Sequence, residues 1–158
     1  MKLTNLLLLL VAIGCYGDVI TDAEQFVKSN ESFRAHRYRD ARGWAIGYGF
    51  TDPKYTCKEY MDQSEADKIL HEIILDIDTY LDKRIYVDLS DSQRIALIDF
   101  VYQYGKTRFL NSNLRCLINV RAKEGKILEA FTSYNQVNGV YNDGVAKRSQ
   151  RRATLWQK

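Results

Sequence analysis

Residues 31–51 read ESFRAHRYRDARGWAIGYGFT, from Glu31 to Thr51, and this stretch decides how the rest of the chain is read. Within it Trp44, Ile46, Tyr48 and Phe50 alternate with Ala45, Gly47 and Gly49. A two-residue repeat of that kind predicts a strand with one bulky and one nearly bare face. Upstream, Thr21 and Glu24 form a capping-box pair ahead of Ala23, Phe26 and Val27, which predicts a first helix over about 22–31. Glu31 therefore ends a helix, and Asp40 follows nine residues later in the hairpin. Both stand among Arg34, His36, Arg37, Arg39 and Arg42.

Beyond Pro53 the period becomes helical. Ser64 is read as a cap, with Ile69, Ile73, Ile77, Tyr80 and Leu81 on one stripe of a helix of about 19 residues. Ser90 and Gln93 make a second capping box, and Gly105 stops that helix. Shorter helices are expected over Ser112–Lys123, Lys126–Tyr134 and Val145–Trp156, with turns at Asn138-Gly139 and Asn142-Asp143-Gly144. The chain reads as α+β and mainly helical: a small β-hairpin lobe, a helical C-terminal lobe and a cleft between them.

Composition supports one globular domain. Of 158 residues 46% are apolar, and the net charge of +3 is too mild to require a nucleic-acid partner. Lys2 followed by the uncharged run Leu3–Gly17 is short for a membrane span and reads as an export signal over 1–17, leaving a domain over 18–158. Cys57 and Cys116 are compatible with a disulfide closing a loop of about 60 residues, or with a buried free thiol at Cys116 in an apolar helix pattern. His36 and His71, 35 residues apart with no Cys-x-x-Cys nearby, give no metal site.

Two carboxylates across a cleft suit glycoside hydrolysis, in which one protonates the leaving oxygen and the other works from the opposite face of the sugar. Glu31, at a helix end beside Phe33, suits the acid, because partial burial favours a retained proton against the pull of the arginines. Asp40, near Gly43 in a more solvated turn, suits the ionised partner.

The order Glu31, Asp40, Gly43-Trp44, Ile46-Gly47-Tyr48-Gly49 and Thr51 resembles the active-site segment of phage-type lysozymes, glycoside hydrolase family 24. Phe100 to Gly105 resembles that family's Phe-x-Tyr-Asn-x-Gly helix ending. Gly144-Val145, Arg148, Arg151 and Leu155-Trp156 resemble its C-terminal close. The resemblance implies a lysozyme-like fold and a bacteriolytic muramidase acting on bacterial peptidoglycan, with Glu31 as general acid and Asp40 as second carboxylate. It also implies a sugar groove lined by Thr51, Tyr102, Gln103 and Asn113, and no cofactor. A secreted monomer is expected, with no stable membrane anchor and no nucleic-acid partner; a periplasmic or phage-lysis setting is the alternative.

Three departures stand out. Ala45 stands two residues before Gly47, where the family often has a Thr that holds the attacking water, in a segment from Asp40 that is one residue shorter than the family's and so leaves open whether Ala45 takes the Thr site. The missing hydroxyl opens an alternative as a lytic transglycosylase. Phe50 replaces a His, and Arg152 falls where an acidic residue is common. A second alternative, a non-catalytic cationic peptidoglycan-binding protein, draws on Lys147, Arg148, Arg151 and Arg152 ahead of Leu155 and Trp156, read as an amphipathic surface helix.

Overall fold

The computed structural model describes residues 19–40 and 43–158; the expected export signal over 1–17 lies outside them. Residues 19–30 form helix α1, which buries Val19, Ile20, Ala23 and Val27. Thr21 lies inside this helix rather than capping it, because Val19 and Ile20 extend the apolar stripe upstream. At the other end Ser29 Oγ and Asn30 Nδ2 both donate to the Phe26 carbonyl, at 2.7 and 2.9 Å. These side chains compete for the backbone as Ser and Asn do at helix ends, and the helix stops one residue before Glu31.

Strands β1 (Arg34–Asp40) and β2 (Gly43–Gly47) pair antiparallel, with Tyr38 opposite Ala45, Arg39 opposite Trp44 and Asp40 opposite Gly43. The strand expected to reach Phe50 ends at Gly47. Gly47 and Gly49 have φ of +64° and +82°, and Ile46 and Phe50 exchange two backbone hydrogen bonds across the resulting turn. A Cβ on Gly47 would stand 2.6 Å from the Phe50 ring, so only glycine fits there. Nor is there one bulky face: Trp44 is exposed while Ala45 and Ile46 are fully buried.

Helix α2 (Pro53–Thr56) is capped by Asp52 and was not expected. Helix α3 (Gln63–Asp82) runs for 20 residues, and its cap is Asp62, which accepts from Glu65 N–H at 2.8 Å, rather than Ser64. Helix α4 (Asp91–Tyr104) begins in the expected Ser90–Gln93 box and ends at Gly105, φ +82°. It runs through the middle of the C-terminal lobe, with Ala96, Leu97, Ile98 and Phe100 fully buried. Around it lie α5 (Lys106–Leu110), α6 (Asn113–Asn119), α7 (Glu124–Thr132) and α8 (Asp143–Trp156), and both α3 and α8 pack directly on it. Helix α6 stops short of Lys123, and α7 sits two residues earlier than expected at both ends. Between α7 and α8 a small hairpin, β3 (Gln136–Val137) and β4 (Val140–Tyr141), turns on Asn138 and Gly139, both with positive φ, the backbone of a two-residue hairpin turn. Cys57 and Cys116 are both free and both exposed, so neither the disulfide nor the buried thiol is found.

Candidate active site

Glu31 follows α1 directly, its amide donating to the Val27 carbonyl at 2.9 Å. Its half-buried side chain opens on a cleft of about 320 Å³ between the hairpin lobe and the helices, whose walls include Gly49, Thr51, Tyr102, Gln103 and Lys106. The two carboxylate oxygens have different surroundings. Oε1 accepts from Arg148 at 2.5 Å, whereas Oε2 lies 3.4 Å from the place a Cβ on Gly49 would take. The bare backbone at Gly49 thus gives that oxygen room.

Arg148 is held from behind. Its Nε and its second terminal nitrogen donate to the two oxygens of Asp99, at 3.1 and 2.7 Å. Asp99 is fully buried and also accepts from Arg152 Nε at 2.6 Å; Arg152 in turn donates to Gln103 Oε1. Two carboxylates and two guanidiniums therefore alternate from the cleft into the core, with their charges balanced. Burial opposes the charge on Arg148, but Asp99 and Glu31 overcome it and raise its pKa. On Arg152 burial prevails over Asp99 and, with the Arg148 charge adding to it, lowers the pKa. Arginine's ordinary value is high enough that both remain charged. Tyr102 donates to the Tyr48 carbonyl at 2.6 Å, and burial, then the Glu31 charge, push its phenol far above the usual range, so it acts only as a neutral hydroxyl.

Glu31, Thr51, Tyr102 and Gln103 are thus brought together. Asp40 ends β1 at the hairpin tip, half-buried and outside the lining of this cleft. It shares a strand face with Tyr38, which is near enough to Tyr102 to act on it electrostatically. Asn113 is elsewhere, in a separate depression with Leu117, Lys126 and Glu129. Ala45 is fully buried and does not line the cleft. His71 pairs with Glu24 and His36 packs against the Tyr60 ring.

The reading of α8 as a basic surface helix is corrected. Arg148 and Arg152 are buried on Asp99, Trp156 is buried too, and only Lys147 and Arg151 lie outside, on Asp143 and on Ser29 and Asn30. Sequence reasoning missed Asp99, Arg148 and Arg152 as one unit. Their signal was present: a lone carboxylate in the apolar run Ile95–Val101, and two arginines four apart, on one face of α8.

A hairpin lobe set against a helical lobe, with a half-buried glutamate at the cleft between them, defines a lysozyme-like glycosidase scaffold. The sequence profile described as Phage lysozyme matches residues 28–152, and the chain belongs to that family of peptidoglycan-degrading glycoside hydrolases. It is 30% identical over 135 residues to an endolysin of Acyrthosiphon pisum secondary endosymbiont phage 1, covering 83% of this chain and 92% of that one. It is 26% identical over 133 residues to an endolysin of Bacillus phage B103, covering 82% of this chain but spanning only 50% of that protein's length. In fold it is similar to the muramidase domain of SpmX from Asticaccaulis excentricus, with a TM-score of 0.76 at 22% identity, covering 87% of this chain and 95% of that one. It is likewise similar to the endolysin from Escherichia coli O157:H7 phage FAHEc1, with a TM-score of 0.74 at 23% identity over 85% and 89% of the two chains. Among the described residues no helix is long and apolar enough to cross a membrane.

Proposed function

We propose that this chain is a muramidase that hydrolyses the β-1,4 bond between N-acetylmuramic acid and N-acetylglucosamine in bacterial peptidoglycan. Glu31 is the general acid and Asp40 the second carboxylate. The observation that supports the reading is the asymmetry at Glu31: Arg148 occupies Oε1, while Oε2 lies beside Gly49, which also lines the cleft, and it is to this oxygen that we assign the donated proton. That proton passes to the glycosidic oxygen as the bond to C1 breaks. Asp40, which lies at the hairpin tip outside the lining of the Glu31 cleft, is assigned by the family resemblance rather than by its position to stabilise the positive charge that develops at C1. Water then adds its oxygen to C1, and its proton returns to a carboxylate. Thr51, Tyr102 and Gln103 line the groove for the sugars. The mild net charge of +3, or +2 without Lys2, favours an anionic wall polymer, and the reading of 1–17 as an export signal makes the protein a secreted one.

The deciding experiment incubates purified protein with peptidoglycan and identifies the released muropeptides by mass. Reducing ends are expected; anhydro ends would identify a lytic transglycosylase instead. Glu31→Gln should remove lysis with the fold intact. Lysis kept above about a tenth of the wild-type rate would contradict the assignment, because general acid catalysis contributes about 10²–10⁴-fold. Asp40→Asn should also be severe, and a harmless Asp40→Asn would remove it from the reaction.

A further inference from the structure

Gln103 stands on the ridge between two hollows. One is the Glu31 cleft, and the other, of about 470 Å³, is lined by Ser29, Asn30, Asn142 and Arg151. Its amide has two chemically different ends, of which the protein occupies one. Arg152 donates to Oε1. A guanidinium carries donors and no acceptor, so the oxygen must face Arg152 and the NH₂ must face away; partner chemistry, not the similar appearance of O and N, decides the orientation. Among the described residues Nε2 has no protein partner.

Arg152 is itself unable to turn. It is fully buried, its Nε is bound to Asp99, and its guanidinium lies 5.7 and 5.4 Å from the ring centres of Phe100 and Tyr104. Asp99 is gripped from its other side by Arg148. The amide of Gln103 is therefore clamped at one end by a side chain that never meets substrate.

We propose that Arg152 is a positioning residue that sets specificity: by fixing the polarity of the Gln103 amide, it makes that residue present N–H donors alone to the cleft, so the substrate group read there is a carbonyl or carboxylate oxygen. The inference rests on the muramidase reading for its substrate, since peptidoglycan offers such acceptors on the N-acetyl groups of its sugars and on its stem peptides. A freely turning amide could greet a donor or an acceptor; the clamped one rejects a donor. A site built for one hydrogen-bond polarity discriminates more sharply than an apolar wall.

The test is calorimetric binding of soluble glycan strands in the Glu31→Gln background, where turnover is blocked. Gln103→Glu keeps an oxygen for Arg152 but replaces the donors facing the cleft by an acceptor. Kd should rise about tenfold or more, with no loss of thermal stability. If Gln103 served only to hold Arg152, the same change would leave Kd alone. Arg152→Met, close in volume, frees the amide to flip and should raise Kd about two- to fivefold, and it should add nothing when combined with Gln103→Glu, the mark of one residue acting through the other. Should Arg152→Met fail to fold, Gln103→Glu decides by itself. Strands stripped of stem peptides separate the two sources. A penalty that persists on stripped strands assigns the N-acetyl carbonyl, and one confined to intact strands assigns the stem peptide; both support the proposal. Kd within about twofold of the parent for Gln103→Glu on both substrates would overturn it, as would a folded Arg152→Met with unaltered Kd. Strands that bind as expected but are not cut by the protein with Glu31 intact would sink the muramidase reading alone; strands that do not bind at all would sink both.

Discussion

Arg148 donates to Glu31 Oε1 at 2.5 Å across 117 residues of sequence, and the same guanidinium grips both oxygens of Asp99. Three bonds from one planar fork fix the Glu31 carboxylate with respect to the core of the helical lobe. A lysine ammonium in that place is a point charge and cannot satisfy two carboxylates with the same geometry.

Arg148→Lys is accordingly expected to lower stability by about 1–3 kcal/mol, the range for a buried group left short of a hydrogen bond, and to slow lysis together with it. Urea denaturation and turbidity clearing measure the two effects. Arg151→Ala, which removes exposed contacts to Ser29 and Asn30, should cost less than about 1 kcal/mol. Equal losses at the two positions would show that the buried network contributes no more than a surface pair.

Much of this architecture was legible locally. The Ser90–Gln93 box, the stop at Gly105 and the long α3 stripe are written within a few residues of where they act. So is the placement of Glu31 at the end of the first helix. What was not legible depends on partners distant in sequence. Arg148 and Arg152 look like half of a solvated charge run until Asp99, 49 and 53 residues away, is brought against them. Asp62 displaced Ser64 as a cap because both residue types serve and only the backbone decides between them. The strand after Trp44 is shorter than its alternation predicts because glycines that permit a bare strand face equally permit the positive φ of a turn. Asn113, carried by resemblance, starts α6 but faces a different hollow.

Gly49 joins a backbone requirement to a chemical one. Its φ is +82°, and an added Cβ would meet Glu31 Oε2 at 3.4 Å. Gly49→Ala should cost about 1–2 kcal/mol for the left-handed backbone and in addition slow lysis about tenfold by setting a methyl group in contact with the oxygen proposed to carry the proton, in space the glycosidic oxygen needs. Gly139→Ala is the control, since φ there is +79° but no atom lies within 4 Å of the new carbon. It should show the strain without the loss of rate. Similar rates for the two variants would mean that Oε2 does not need the space.

Asp67 ties α3 to α1 and to the hairpin lobe, accepting from Lys28 and from the Tyr48 hydroxyl, both at 2.8 Å. The Lys28 bond, opposed by burial and aided by Tyr48, holds its carboxyl below the ordinary range. A pKa lowered on folding stabilises the native state above the unfolded value, about 3.9, and that contribution disappears as pH falls through the folded value. The stability gap between wild type and Asp67→Asn should therefore be open at about pH 6 and narrower at about pH 3. Denaturation curves at the two pH values measure it, and a gap that widens in acid would have the wrong sign.

Ala45 raises the question of where the attacking water is held. The residue is fully buried on β2, opposite Tyr38, and lies outside the lining of the cleft. A threonine there would bring a methyl and a hydroxyl into a space already filled. Overpacking costs about 1–3 kcal/mol, and a buried hydroxyl without a partner adds to it. Ala45→Thr is thus expected to lower the midpoint of unfolding and to leave turnover no faster, contrary to the gain expected if position 45 faced the water. The hydroxyl of Thr51, which does line the cleft, is then the better candidate for holding that water, and Thr51→Val should slow lysis by about tenfold, one hydrogen bond's worth of transition-state stabilisation. A folded Ala45→Thr protein with raised turnover, beside an unimpaired Thr51→Val, would return the water to position 45 and require the hairpin to open there during catalysis.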